Sequence, residues 1–108
     1  MELKYRIRVA IIKRLSEFFI PASIETLLDS PEIINEFGHL PLSNDDKIFA
    51  KQQIYELENF GLIKSVIGYE DVYTLPADVK NKIQQQKSSR ILPDNEFLWG
   101  IDAYLSKK

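Results

Sequence analysis

His39, Asp45 and Asp46 are the residues of this chain whose types could carry acid–base or metal chemistry, and their spacing speaks against both. His39 is the single histidine, and no set of carboxylates at metal-ligand spacing surrounds it. Two catalytic carboxylates must converge on one substrate atom, whereas neighbours on a helix project about 100° apart. Asp45 and Asp46 follow Ser43, so they read instead as partners of a helix N-terminus. Cysteine is absent, which removes thiolate nucleophiles, cysteine-bound zinc and disulfides together. The four glycines stand singly at 38, 61, 68 and 100, so no glycine-rich phosphate loop is present. Neither an enzyme nor a cofactor or metal is expected, and binding is the class of function left.

Binding depends on where charge collects. The net charge of −2 averages over blocks of opposite sign. Residues 1–20 carry five bases (Lys4, Arg6, Arg8, Lys13, Arg14) against Glu2 and Glu17, and residues 21–46 carry six acids and no base. Residues 80–92 carry Lys80, Lys82, Lys87 and Arg90 and no acid. A nucleic-acid binder needs only one positive face, so an acidic balance does not exclude one. With 108 residues, 44% hydrophobic and 28% charged, the chain fits one soluble globular domain. Its longest aliphatic run, Val9 to Ile12, is far short of a membrane span. The N-terminus lacks the pattern of a signal peptide, so a cytoplasmic location is expected, with no membrane partner.

The elements that must position any binding residues follow from periodicity. Glu2 to Phe19 reads as a helix with two apolar stripes. Leu3, Ile7, Ala10, Ile11, Leu15 and Phe18 form one; Tyr5, Val9, Ile12, Ser16 and Phe19 form the other, to be buried in the chain or against another subunit. Pro21 ends this helix, and an extended piece, Ile20 to Ala22, leads into a brief helix holding Ile24, Leu27 and Leu28. Ser30 and Pro31 read as a cap and first helical position, with Gly38 closing Glu32 to Phe37. His39 to Leu42 is a loop, after which Ser43 and Asp46 form a capping box opening a helix to about Phe60. Phe49, Ala50, Ile54, Leu57 and Phe60 take its inner side; Ile48, Lys51, Gln52, Tyr55, Glu58 and Asn59 take the outer. Gly61 stops it. Leu62 to Val66 and Val72 to Leu75 then make a hairpin around Gly68. Ala77 to about Gln86 is a further helix, Lys87 to Leu92 a polar connection, and Asp94 caps a last helix with Phe97, Leu98, Ile101, Tyr104 and Leu105. The expected fold is mainly α with a small β-hairpin (α+β), a domain over 1–86 followed by a linker and C-terminal helix over 87–108.

The stretch Ala50 to Leu75, through Ile54, Leu57, Gly61, Leu62, Ile63, Tyr73, Thr74 and Leu75, resembles the third helix and wing of winged-helix transcriptional regulators of the MarR and PadR types. Glycine permits the left-handed turn that ends the helix, and Leu62 and Ile63 return to the core. The resemblance covers residues 1 to about 86, but two features depart from it: Ser30 to Leu42 lengthens the link between the paired helices, and the segment from Leu92 lies beyond the motif.

The resemblance implies a transcriptional regulator that binds double-stranded DNA. Lys47, Lys51, Gln52, Tyr55 and Asn59 on the helix from Asn44 to Phe60 would then read the major groove, and the turn Ile67 to Asp71 would touch the backbone or minor groove. Asp45, Asp46, Glu70 and Asp71 stand where such a protein would prefer bases. The alternative is a winged-helix protein–protein interaction module without DNA binding, which accommodates the acidic wing. A homodimer is expected through Tyr5, Val9, Ile12 and Phe19 of the first helix and Phe97, Ile101 and Tyr104 of the last.

Overall fold

The computed structural model describes residues 3–18 and 20–89. It is mainly helical with a small antiparallel sheet, an α+β arrangement. Helix α1 (Leu3–Phe18) is followed by strand β1 (Ala22–Ser23), α2 (Ile24–Leu28), α3 (Pro31–Phe37), α4 (Asn44–Asn59), β2 (Lys64–Ser65), β3 (Val72–Thr74) and α5 (Ala77–Ser89).

Local chemistry sets most of these boundaries. The Ser23 hydroxyl accepts from the Thr26 amide and starts α2. At α4 the capping box is complete: Ser43 Oγ accepts from the Asp46 amide at 3.1 Å and Asp46 Oδ2 accepts from the Ser43 amide at 3.1 Å. Ser30 differs from expectation. It occupies the N-cap position of α3, but its hydroxyl donates to Leu27 O at 2.6 Å and caps nothing. Leu27 O also accepts from the Ser30 amide at 3.1 Å, so Ser30 closes the end of α2 with both its backbone and its side chain. Gly61 ends α4 at φ 80°, and the Leu62 amide donates back to Leu57 O at 3.0 Å. Helix α5 continues to Ser89, into the expected polar connection, because no glycine or proline interrupts it before Pro93.

The expected two-stranded hairpin is a three-stranded sheet in the order β1–β3–β2. Ala22 pairs with Tyr73 and Ser23 with Val72 on one side of β3; Lys64 pairs with Thr74 and Ser65 with Tyr73 on the other. Tyr73 faces inward among the buried residues.

The core joins α1, α2, α3, α4, β3 and α5. Ile7, Ile11, Ile12, Leu15, Leu27, Ile33, Ile54, Leu57, Leu62, Ile63, Leu75 and Ile83 are all fully buried, and burial of each such side chain contributes roughly 1.5–3 kcal/mol. α3 and α4 both pack on α1, and Phe37 meets Phe49 edge-on with centroids 6.4 Å apart. α3 thus fills the long link between α2 and α4 with a packed element.

Ile7, Ala10, Ile11 and Leu15 of one α1 stripe and Val9, Ile12 and Ser16 of the other are buried. Val9 and Ile12 are 1% exposed and belong to the core cluster. This corrects the expectation that they form a dimer seam, since they have no surface left to offer. The Phe60 assignment is also corrected: it is 37% exposed, because the chain turns at the end of α4 and leaves its ring over the Arg8 guanidinium at 5.3 Å.

Candidate functional site

Helix α4 carries the five residues singled out as DNA readers, and the packing of its inner face decides how they are presented. Ala50, Gln53, Ile54 and Leu57 are buried, so Lys47, Lys51, Gln52, Tyr55 and Asn59 are exposed on the other sides. Lys47, Lys51 and Tyr55, at successive helical turns, form one wall of an open groove of about 700 Å³. Ser23, Ile24, Glu25, Leu28 and Asp29 from α2 and its cap make a second wall, and Glu70 and Asp71 from the β2–β3 turn close one end. Gln52 and Asn59 lie outside this lining.

The β1–β3 ladder holds the walls together and continues into one further backbone bond, from the Ile24 amide at the start of α2 to Asp71 O at 2.9 Å. Asp71 adopts φ 55°, the left-handed conformation that aspartate tolerates better than most residues. The turn before it exposes Ile67 and Tyr69 beside Gly68. Groove charge is four carboxylates, Glu25, Asp29, Glu70 and Asp71, against Lys47 and Lys51. None of these six forms an ion pair among the described residues. Glu25 and Asp29 were not anticipated as site residues. Rotation of α2 would have found them, because burial of Ile24, Leu27 and Leu28 turns both outward.

Two of the five bases of α1, Arg8 and Arg6, are engaged by the fold. Arg8 is buried: Nε donates to Gln53 Oε1 at 2.9 Å, Nη2 pairs with Glu56 Oε2, and the guanidinium lies between the Tyr5 and Phe60 rings. Arg6 pairs with Glu36 at 3.5 Å. Of the other residues assigned to a dimer interface, Tyr5 is half-buried beneath Lys4 and Arg8. Phe19, Phe97, Ile101 and Tyr104 lie outside the described residues.

His39 is tied to the start of α4, with Nε2 3.0 Å from Asp46 Oδ2 and Nδ1 3.3 Å from Pro41 O. Among the described residues no group of three or more histidines and carboxylates could hold a metal. Nor is any helix among them long and apolar enough to cross a membrane. Burial, then the neighbouring Glu58 carboxylate, Tyr55 and Asp71, hold the Tyr73 phenol above its ordinary pKa. No family model, curated protein or solved structure matches the chain.

Proposed function

We propose that this is a winged-helix domain acting as a protein-interaction module, whose groove between α2, α4 and the wing receives a basic segment of another protein. The order helix, strand, helix, helix, helix, hairpin supports the fold reading once α3 is taken as an addition in the link between α2 and α4, with α4 in the position of the recognition helix and the turn around Gly68 as the wing. The observation that carries the functional reading is the unpaired excess of carboxylates over lysines along that groove. Duplex DNA gains affinity from neutralised phosphates, and a groove with four acids and two bases opposes them. The same charges attract lysine and arginine side chains, while Ile24, Leu28 and Tyr55 offer apolar contact to their stems.

The second reading is a DNA-binding transcriptional regulator, favoured by the exposure of Lys47, Lys51, Gln52, Tyr55 and Asn59 on a well-capped α4. One pair of titrations separates the two. Fluorescence anisotropy is followed for a labelled duplex and for a labelled peptide of alternating arginine and leucine, both at about 50 mM salt, where non-specific DNA affinity is high. The module binds the peptide and not the duplex, and Glu25→Lys with Glu70→Lys abolishes peptide binding. Duplex binding that falls steeply with salt and weakens in Lys51→Ala overturns the module in favour of the regulator.

A further inference from the structure

A second groove, of opposite sign, lies on the outer face of the sheet. It is about 530 Å³, and Lys64 to Ile67, Thr74 and Lys80 are among the residues that line it. Register places its residues in rows. Lys64 stands opposite Thr74 and so shares its face, away from the inward Tyr73. Val66, whose amide donates to Val72 O at 2.9 Å, continues that face. Lys64 and Lys80 are its charged groups; no carboxylate lines it, and neither lysine has an ion-pair partner among the described residues.

Among the described residues nothing pairs with the edge of β2 beside this groove. The Val66–Val72 bond makes Ser65 and Tyr73 a non-bonded pair of the antiparallel ladder. The Ser65 N–H and C=O therefore point away from β3, and β2 is the last strand of the sheet on that side. Ile67, one step along, is 97% exposed. An unpaired strand edge flanked by two free lysines and bordered by Val66 and Ile67 has the chemistry to receive an extended chain in which carboxylates alternate with small apolar residues.

We propose that β2 accepts an extended acidic segment of a partner protein as a fourth strand, its backbone bonding Ser65 and its carboxylates meeting Lys64 and Lys80. A second copy of this chain fits less well, because pairing β2 with itself would bring four lysines together. This site shares no residue with the α2–α4–wing groove and does not depend on what that groove binds.

The test uses the full chain and a fluorescein-labelled heptapeptide of alternating glutamate and valine. Binding is expected, weakened roughly fivefold by Lys80→Glu and about tenfold by Ser65→Pro, which removes the outward amide. A circular-dichroism melt checks that each variant is folded, and Lys80→Glu, which lies outside the sheet, carries the test should Ser65→Pro unfold. Absence of binding at roughly 1 mM peptide overturns the proposal. So does binding indifferent to Lys80→Glu or to folded Ser65→Pro. Displacement of the peptide by duplex DNA overturns it in favour of a phosphate site, and a dimer by light scattering that Ser65→Pro converts to monomer overturns it in favour of self-pairing.

Discussion

The Arg8 network makes a quantitative prediction about how a buried charge is held. Arg8 is 6% exposed and its Nε has one acceptor, Gln53 Oε1, so Gln53→Ala strands a buried charged donor. The cost is about 1–3 kcal/mol for the lost partner, toward the upper end because the donor is ionised. Glu56 is different. Its side chain is 47% exposed, so water takes over part of its role, and Glu56→Ala is expected to cost only about 1 kcal/mol. Replacing Arg8 by methionine removes the charge itself. It gives up two cation–π contacts with Tyr5 and Phe60 but also the desolvation penalty, for a net change within about 1–2 kcal/mol of zero.

The decisive quantity is the coupling. In the Arg8→Met background, Gln53→Ala and Glu56→Ala no longer strand a charge, and each should cost less than about half its value beside Arg8. Urea unfolding followed by circular dichroism measures all of these, provided the denaturant slope stays constant across the set. Equal costs in the two backgrounds would refute the reasoning, since Gln53 and Glu56 would then act through packing or helix propensity and not through Arg8.

Two further perturbations probe single features. Gly61→Ala should destabilise by roughly 1–2 kcal/mol, because Gly61 sits at φ 80° with nothing within 4 Å of an added Cβ, so the cost is conformational and not steric; a neutral result in a thermal melt would contradict the left-handed turn. Tyr73→Phe should change the alkaline limb of stability. The raised phenol pKa means that the folded state keeps its proton where the unfolded chain, near 10.0, has lost it. Stability therefore falls as pH rises from the unfolded value through the folded one, and the variant lacks this fall. Parallel stability curves for the two proteins between about pH 8 and 11 would count against it.

How much of this was legible in the sequence depended on the range of the interaction. The capping box of Ser43 and Asp46, the stop at Gly61 and the return of Leu62 and Ile63 to the core are written within a few residues, and all appear as read. The pairing of β1 with β3 was not legible. Two residues carry no alternation, and their partner lies about fifty positions away. Gln53 is a polar residue interrupting an apolar face, and periodicity gives no sign that a partner 45 residues upstream buries it. Periodicity likewise leaves the Arg8 side chain among the surface charges, although it is 6% exposed.

Charge shows why the fold had to be known before the site could be signed. In the sequence, the bases of residues 1–20 look like a ready-made positive face, and the acids of residues 21–46 look like a separate block. Packing takes two bases from the first, because Arg8 enters the core and Arg6 turns to Glu36. It gathers two acids of the second with two from beyond it, because the β1–β3 ladder and the bond from Ile24 N to Asp71 O bring the β2–β3 turn against α2. Glu25 and Asp29 thereby share one groove with Glu70 and Asp71, residues some forty positions on. Like charges gathered without partners lower the stability of the free protein, and a basic ligand relieves that repulsion. Neutralising Glu25 and Glu70 should therefore stabilise the free domain while weakening the basic-peptide binding proposed for this groove. Thermal melts and basic-peptide titrations of Glu25→Gln with Glu70→Gln check that trade, and a variant that loses both stability and binding, or changes neither, counts against the proposed groove.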